Sequence, residues 1–428
     1  MPLVLCAASI FIIGSVMLSV ATHYATLLLG RWVVGLGVGI ASMVIPVYIS
    51  EVAPKSFRGQ LATLNTLVIT FGQVIAYLVN IVYADKKSGW RYMFGLGAIP
   101  ALFQLGFMPF LPESPRRNIA CRDVVAAKHT LRKIYGPYVS DEFLNNEIKT
   151  IQDDLSGQGT YHDLFFKHQN LKPLLIACLL QAAQQLSGFN TAMYYAATIL
   201  HMAGFRQNST VVALIVALTN MLFTILAVHL IEKTGRRRIL LWTMVFMIAS
   251  LVVLGGSFAV QQQGLVSKQP NCEDYLHCTR CLLDDRCGWS ILQSCVSKDS
   301  VESMAMCPQR PMDGPITILL LASLTAYVAS YALGLGYVPW IIQSELFTLS
   351  VRGKANGVAT ATNWICNLMV ASTFLTMTNA LSTAGAFWLY ACISAILWVG
   401  IYCYLPETSG RSLEEISALF VQDTCMNT

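Results

Sequence analysis

The sequence predicts an all-α protein that crosses the membrane many times, and three observations support this fold class. The chain of 428 residues is 55% hydrophobic and only 12% charged, with a mean hydropathy of +0.56, whereas a soluble domain carries about 25% charged residues. Its apolar segments are numerous, and each is long enough to cross about 30 Å of hydrocarbon as a helix. Charged motifs recur where these segments end. The lipid bilayer is therefore an expected partner, and the net charge of +5, which is spread over the segment ends, does not indicate a nucleic acid.

Ten apolar segments are predicted to span the membrane. Four lie in a first half, residues 1–111, at 2–22, 27–50, 60–83 and 91–111. Six lie in a second half, residues 173–405, at 174–200, 210–231, 239–260, 315–343, 355–378 and 384–405. Residues 3–20 lack the basic region that precedes the apolar core of a signal peptide, so we interpret them as part of the first span.

Three polar segments separate or follow these spans. Residues 112–172 are charged and compatible with short helices, which predicts a cytoplasmic linker between the halves. Residues 261–314 contain six cysteines and are predicted to form an exoplasmic insert within the second half. Residues 406–428 are predicted to form a cytoplasmic tail.

The distribution of Lys and Arg predicts that both termini are cytoplasmic. In this orientation eighteen of the 28 basic residues are cytoplasmic, as the positive-inside rule favours. The Cys-rich insert then lies outside, where disulfides persist. Asn208, in the one obvious N-glycosylation sequon, also lies outside. We expect the plasma membrane as the location.

The cysteines of the insert predict disulfide bonds. They are Cys272, Cys278, Cys281, Cys287, Cys295 and Cys307. An even number in an exoplasmic loop allows up to three bridges, with fifteen possible connectivities. Zinc is the weaker alternative because only one Cys-x2-Cys pair is present. We expect no metal and no other cofactor.

Charged motifs repeat at a constant interval along the chain. The repeated residues lie at predicted cytoplasmic helix ends, in pairs 294 residues apart: Glu51 and Glu345, Arg58 and Arg352, Glu113 and Glu407. Internal repeats of this kind build transporters whose substrate site lies between the repeats. Because the second half has six spans and the first has four, the repeat predicts two further spans upstream of Met1.

Nine charged residues at these helix ends are predicted to close an inner gate in one conformation. They are Glu51 near Arg58, Glu113 near Arg116, Glu232 near Arg236, Glu345 near Arg352, and Glu407. Opposite charges at this depth can pair across the two halves and separate when the gate opens. The alternative is that they only anchor the helix ends, since exposed ion pairs contribute little stability.

The fifth span contains a polar stretch that begins with Gln184 and Gln185, reaches Asn190, and is followed by Tyr194 and Tyr195. Such side chains are costly in a bilayer, so they usually face a bundle interior or a water-filled cavity. Uncharged donors and acceptors beside aromatic faces suit a neutral polyhydroxylated ligand. The alternative is that the amides hold helices together.

Further spans carry polar or aromatic candidates for the same site. Trp340 follows a Gly- and Pro-rich break in the eighth span and could stack on a ligand ring. Asn363 and Asn367 share one face of the ninth span at i, i+4 spacing. Asn220 and Gln73 are further intramembrane amides. A belt tryptophan and amides between helices are the alternatives.

Arg31 is a basic residue within the second span. An arginine at that depth needs a carboxylate or carbonyl partner, unless it is shallow enough to extend to the membrane surface. The ten spans contain no obvious carboxylate, so we expect its partner in the two spans predicted upstream.

Several motifs together resemble the sugar porters of the major facilitator superfamily. They are Gly30-Arg31 with the glycines after it, Pro-Glu-Ser-Pro-Arg at 112–116, Gln-Gln-Leu-Ser-Gly-Phe-Asn at 184–190, Glu-Lys-Thr-Gly-Arg-Arg at 232–237, Val-Pro-Trp at 338–340 and Pro-Glu-Thr-Ser-Gly-Arg at 406–411. Within that family the Cys-rich loop resembles the proton/myo-inositol cotransporters. The resemblance covers essentially the whole chain.

The resemblance implies a major facilitator fold with ten of its twelve helices present. It implies polyol contacts at Gln184, Gln185, Asn190, Asn220, Trp340 and Asn363 or Asn367, and at Gln73 by similarity to proton/xylose relatives. Tyr195 joins this set on its aromatic chemistry. The family's coupling Asp lies in the helices expected upstream, where it would face Arg31. Arg117 departs from the aromatic residue usual at that position.

These observations predict secondary transport of a neutral polyol, with proton-coupled myo-inositol uptake as the leading hypothesis. Protons are therefore an expected partner of the full-length form. The alternatives are a facilitative hexose carrier, a receptor or sensor that acts through the Cys-rich loop, and a non-functional truncated form. No catalytic constellation is found in the sequence, so an enzyme is not expected.

Overall fold

The computed structural model describes residues 2–54, 58–156, 159–203, 205, 209–266, 272, 287–289, 295–297, 314–347 and 351–408, and these are mostly helical. The first half contains α1 (Pro2–Ser19), α2 (Tyr24–Val52), α3 (Arg58–Tyr83), α4 (Gly89–Leu96) and α5 (Ala98–Phe107), with a 3-10 turn at Met108–Phe110. The linker contains α6 (Pro115–Ala120), α7 (Val124–Tyr135), α8 (Asp141–Ser156) and α9 (Tyr161–Phe166).

The second half is longer and contains one very long helix. Its helices are α10 (His168–Leu186), α11 (Phe189–Tyr194), α12 (Ala196–Met202), α13 (Ser209–Thr234), α14 (Arg236–Val266), α15 (Gly314–Leu333), α16 (Val338–Glu345) and α17 (Arg352–Tyr404). Within the insert, β1 (Cys287–Trp289) and β2 (Cys295–Ser297) pair antiparallel, with Cys287 opposite Ser297. This short hairpin is a departure from the all-α prediction.

Eight helical segments among the described residues are long and apolar enough to cross a membrane. The predicted spans 355–378 and 384–405 both fall in α17, whose helical conformation is interrupted at Ser382 (φ 70°, ψ 163°). The predicted span 174–200 is divided among α10, α11 and α12, because Gly188 adopts a left-handed conformation between the first two. The count of ten spans therefore stays a prediction.

The linker helices form a small core of their own. It consists of the apolar side chains Ile119, Ala127, Leu131, Leu144 and Ile148. Side-chain caps begin three of these helices, at Ser114, Asp123 and Thr160, and each cap satisfies a backbone N–H that has no partner within its helix. The linker is thus a folded element rather than a loose connection.

The main apolar core lies in the second half. Helix α10 packs along α17, α14 packs against α15 and α17, and α13 packs against α3 and α15. Val74 and Tyr77 of α3 join this core from the first half. The contact between α3 and α13 therefore joins the first half to the second.

Candidate functional site

The site is built around a turn in the backbone between α10 and α11. Gly188 has φ +84°, and a Cβ there would lie 2.7 Å from the Tyr390 ring, so both the backbone and the packing favour glycine. The Tyr327 hydroxyl donates to the Ser187 carbonyl at 3.0 Å. Phe189 stacks on Tyr331 with ring centroids 3.6 Å apart. These contacts fix how the chain passes from Gln185 to Asn190.

Three predicted amides meet on the α10 side of this turn. Gln185 Nε2 donates to Asn363 Oδ1 at 2.9 Å, and Asn190 Nδ2 donates to Gln185 Oε1 at 2.7 Å. Gln185 and Asn363 are buried, at 5% and 2% exposure, so each needs hydrogen-bond partners inside the protein. The structure thus joins residues from the fifth and ninth predicted spans in one network.

Gln184 connects this network to the broken helix α15–α16. Its Nε2 donates to the carbonyls of Leu335 and Gly336, at 2.8 and 3.0 Å. Those carbonyls lie between the two helices, where the helical hydrogen-bond pattern is interrupted. Gln184 Oε1 in turn accepts from Asn363 Nδ2 at 2.8 Å. Trp340 follows in the first turn of α16 and is half-buried.

Two residues of the network were missed by the sequence analysis. Gln181 Nε2 donates to Gln343 Oε1, and Gln181 Oε1 accepts from Asn363 Nδ2 at 2.7 Å. Gln343 also donates to the Asn356 carbonyl at 3.2 Å. Helical spacing was a usable signal for Gln181, which lies three and four residues before Gln184 and Gln185. Gln343 lies at the polar end of its helix, beside Ser344 and Glu345, so its contact with Gln181 is evident only from the tertiary structure.

Hydrogen bonds also join the two halves. Asn220 Nδ2 of α13 donates to Gln73 Oε1 of α3 at 2.9 Å, and the Tyr77 hydroxyl donates to the Met193 carbonyl at 2.6 Å. The indole N–H of Trp364 donates to Ser42 Oγ at 3.2 Å. Two predicted amides therefore meet across the interface between the halves.

The remaining predicted residues are Tyr195, which follows α11, and Asn367 of α17. The Tyr195 hydroxyl donates to the Ala371 carbonyl at 3.5 Å, and Tyr195 stacks on Phe374 with centroids 5.2 Å apart. Asn367 Nδ2 donates to the Tyr194 hydroxyl at 3.5 Å. These longer contacts leave both side chains less tightly held than the central amides.

The charged residues of the second half form a compact cluster at the start of α14. Arg236 Nη1 lies 2.7 Å from Glu345 Oε2. Glu407 accepts from the backbone N–H groups of Arg236 and Arg237, at 3.1 and 3.2 Å, which places a carboxylate at a helix N-terminus. Burial raises the pKa of the Glu345 carboxyl above its ordinary value, and Arg236 opposes this effect. Arg352 donates to the Phe347 carbonyl at 3.2 Å.

The charged residues of the first half make different contacts. Ser114 Oγ donates to Glu51 Oε2 at 2.6 Å. Glu113 forms its ion pair with Arg117, whereas the sequence analysis had placed it near Arg116. The pairing with Arg117 follows from helical geometry, since residues at i, i+4 share a face. The side chains of Arg58 and Glu232 lie outside the described residues, so pairing across the halves stays a prediction.

Arg31 contacts an aromatic ring in the described part of the chain. Its guanidinium carbon lies 4.8 Å from the centroid of the Phe94 ring. A cation over a ring face gains electrostatic stabilisation, so Phe94 is a partner that the sequence analysis did not identify. The proposed carboxylate partner stays a prediction.

One disulfide of the insert is defined. Cys272 is bonded to Cys287, and Cys295 is also disulfide-bonded. Cys287 and Cys295 are almost fully buried, in β1 and β2. Of the other predicted positions, Cys278, Cys281, Cys307 and the sequon residue Asn208 lie outside the described residues.

Comparison with known proteins relates this architecture to membrane carriers. Residues 2–270 and 300–420 match the family described as Sugar (and other) transporter. The chain is 39% identical over 432 residues to Myo-inositol transporter 1 of Cryptococcus neoformans var. grubii, covering 98% of this chain and 69% of that protein. It is 36% identical over 469 residues to the Proton myo-inositol cotransporter of Homo sapiens, covering 99% and 72%.

Solved structures give a similar result. The chain is similar to the major facilitator superfamily proton:xylose symporter XylE bound to 6-bromo-6-deoxy-D-glucose, with a TM-score of 0.73 and 26% sequence identity. That match covers 98% of this chain and 83% of the symporter chain. The helical arrangement described above is therefore that of a known membrane architecture.

Proposed function

This chain belongs to the Sugar (and other) transporter family, and from that premise we propose that it carries myo-inositol across a membrane by alternating access. It is a multi-pass membrane protein of the sugar porter type within the major facilitator superfamily. The proposal places the substrate between the first half and the second half, at mid-membrane. It places the termini and the linker in the cytoplasm, and the insert outside the plasma membrane.

The buried amide network is the observation that carries this proposal. Gln184, Gln185, Asn190 and Asn363 bring neutral donors and acceptors together inside an apolar core. A neutral polyol presents hydroxyl groups that can both donate and accept, which matches this set and needs no charged partner. Asn220 and Gln73 would contact the substrate from the facing side, where they now bond each other.

Aromatic residues complete the proposed site. Trp340 and Tyr195 would cover the C–H faces of the ring. Asn367, close to the Tyr194 hydroxyl, would contact a hydroxyl at the outer end. This combination of amides and aromatic faces suits a cyclic polyol better than an anion or a cation, since the proposed contacts are uncharged.

We propose the proton as the coupling ion, because the relatives include a proton myo-inositol cotransporter. Arg31 is the residue of this chain proposed to face the group that binds the proton. The present contact of Arg31 with the Phe94 ring would be exchanged for that group during the cycle. A pH gradient, acid outside, should then increase uptake of myo-inositol into vesicles.

Transport by reconstituted protein tests the proposal. Purified full chain in proteoliposomes should accumulate labelled myo-inositol, and Gln185→Ala and Trp340→Ala should each reduce uptake by about tenfold or more, because each removes a proposed substrate contact. Tyr138→Ala, a change at a fully exposed linker residue, is the matched control and should leave uptake unchanged. Unaltered uptake in both site variants would contradict the assignment of Gln185 and Trp340 to the substrate site.

A facilitative hexose carrier is the second candidate. One observation favours a hexose as the substrate, the similarity to a symporter structure bound to a glucose analogue. Competition separates the two: unlabelled D-glucose should compete weakly with labelled myo-inositol under the first proposal and strongly under the second. Uptake that does not respond to the pH gradient would favour the facilitative mode.

A further inference from the structure

Two backbone carbonyl groups decide which way the buried amides point. Gln343 Nε2 lies 3.2 Å from the Asn356 carbonyl oxygen, and Gln184 Nε2 lies 2.8 Å from that of Leu335. A carbonyl oxygen can only accept a hydrogen bond. Each glutamine must therefore direct its NH2 group to the backbone and its Oε1 into the network.

Starting from Gln343, the hydrogen bonds from one amide to the next all have the same donor-to-acceptor direction. Gln343 Oε1 accepts from Gln181 Nε2, and Gln181 Oε1 accepts from Asn363 Nδ2. Asn363 Oδ1 accepts from Gln185 Nε2, and Gln185 Oε1 accepts from Asn190 Nδ2. All donors point toward Gln343. The series of amides ends at Asn190. Among the hydrogen bonds of the described residues, none is accepted by Asn190 Oδ1.

We propose that Gln343 is a positioning residue for the polyol, which, together with Gln184, fixes the polarity of the amide chain and so makes Asn190 Oδ1 the acceptor for a ligand hydroxyl. The inference rests on the proposed function, because it requires a polyol bound at Gln185 and Asn190. Gln343 acts on these residues through Gln181 and Asn363. Its role is therefore to select which ligand hydroxyl must donate at this point of the site.

The series of hydrogen-bonded amides is buried, so the direction of its hydrogen bonds cannot be reversed without cost. Gln181 is fully buried and Gln343 is 4% exposed, so water cannot replace a lost partner. Both hydrogens of Asn363 Nδ2 are used, by Gln181 at 2.7 Å and by Gln184 at 2.8 Å. A reversed Gln181 would face Asn363 donor to donor.

Ligand binding to the full chain in nanodiscs tests the proposal, with Gln343→Met and Gln343→Glu compared with the parent. Methionine has a similar length but gives Gln181 no oxygen acceptor, so the Kd for myo-inositol should rise roughly two- to tenfold. The probes are myo-inositol and its monofluoro analogues, in each of which fluorine replaces one hydroxyl. In the parent, one analogue should bind much more weakly, because fluorine cannot donate to Asn190 Oδ1. In Gln343→Met this discrimination should fall, although not to one, because Gln184 Oε1 still accepts from Asn363 Nδ2.

The glutamate variant distinguishes positioning from a structural role. A neutral carboxyl at this position can accept from Gln181 and donate to the Asn356 carbonyl, so Gln343→Glu should restore the parent Kd at acidic pH. The restoration should disappear at higher pH, because an ionised carboxylate cannot donate. Ser257→Ala is the matched control, since Ser257 is buried in α14 and its Oγ donates to the Val253 carbonyl of the same helix at 2.8 Å; it should bind like the parent.

Two outcomes would overturn the inference. One is an unchanged Kd and unchanged discrimination in Gln343→Met. The other is an equal loss for every analogue in both variants together with a lowered melting temperature, which would show a structural role only. A parent chain that binds no myo-inositol would overturn the proposed function, and this inference with it.

Discussion

The guanidinium of Arg236 lies 2.7 Å from the carboxylate of Glu345, although the two residues are 109 positions apart. Arg236 is the first residue of α14 and Glu345 is the last residue of α16. Both side chains are mostly buried, at 25% and 20% exposure. This ion pair therefore connects the start of α14 to the end of α16 at the predicted cytoplasmic side of the second half.

Removing the cation should destabilise the conformation seen here. In Arg236→Gln the Glu345 carboxylate loses a charge-assisted partner in a mostly buried place, which costs about 1–3 kcal/mol. We expect a lower melting temperature and at least a severalfold loss of myo-inositol transport. Arg132→Gln is the matched control, because Arg132 and Asp141 form an exposed pair, at 47% and 64% exposure, and exposed ion pairs contribute little stability. Equal effects of the two substitutions would argue against a gating role.

The pH dependence of the free energy of unfolding should reflect the ionisation of the Glu345 carboxyl. Burial raises the pKa of its carboxyl above the ordinary 4.5, so the folded protein holds this proton to higher pH than the unfolded chain does. The contribution of Glu345 to the free energy of unfolding is therefore greatest below pH 4.5 and falls as the pH rises through the raised pKa. Thermal unfolding of the parent and Glu345→Gln should show this: the parent should lose stability relative to the variant over that range. A difference independent of pH would contradict it.

Much of the fold follows from one-dimensional patterns. The apolar runs predict where helices cross the membrane, since length and composition decide that. The gap between the predicted spans 355–378 and 384–405 contains the interruption at Ser382, whereas the turn at Gly188 within the span 174–200 was not predicted. The Gly188 turn is fixed by the Tyr390 ring that packs on it from α17, and no local signal identifies that ring.

The candidate site was likewise predicted only in part from the sequence. Gln184, Gln185 and Asn190 stand out because polar groups in an apolar run need a reason to be there. Their partners do not stand out: the contact between Gln343 and Gln181 joins residues 162 positions apart. The repeat of 294 residues located the charged helix ends, but it did not indicate that Arg236 would pair with Glu345. Sequence spacing gives the face of a helix, whereas pairing depends on which faces meet.

Tyr77 should influence the balance between conformations. Its hydroxyl donates across the halves to the Met193 carbonyl at 2.6 Å, and a neutral hydrogen bond contributes about 0.5–1.5 kcal/mol. Tyr77→Phe should therefore shift the population away from the state described here by roughly two- to tenfold. Distances between spin labels on the ends of the two halves that are predicted to be cytoplasmic measure that shift. Tyr327→Phe is the control, because its bond to Ser187 stays within the second half; an equal shift in both variants would contradict the prediction.

The Cys272–Cys287 bond predicts how many free thiols each variant contains. Cys272→Ser leaves Cys287 without its partner, so one additional free thiol should be labelled under denaturing, non-reducing conditions. Cys272→Ser combined with Cys287→Ser should return the count to that of the parent. If the additional thiol appears at another cysteine, the pairing is different. Because the hydrogen-bonded amides described above include no residue of the insert, myo-inositol transport by correctly inserted protein should be unchanged. A loss of partner binding without a transport defect would favour the receptor alternative.

Gly188→Ala should damage the site without removing a polar group. Alanine in the left-handed region costs about 1–2 kcal/mol, and its Cβ would lie 2.7 Å from the Tyr390 ring, which adds an overpacking cost of about 1–3 kcal/mol. The turn should therefore shift and misplace Asn190 relative to Gln185, so that the Kd for myo-inositol rises by about tenfold or more. Gly256→Ala is the matched control, because a Cβ at that position within α14 meets nothing within 4 Å; a helical alanine there should be neutral or stabilising by about 0.5–1 kcal/mol. Combining Gly188→Ala with Tyr390→Leu should recover only the packing part of the loss, since the backbone strain remains. Full recovery in that double variant would show that the ring contact alone requires glycine.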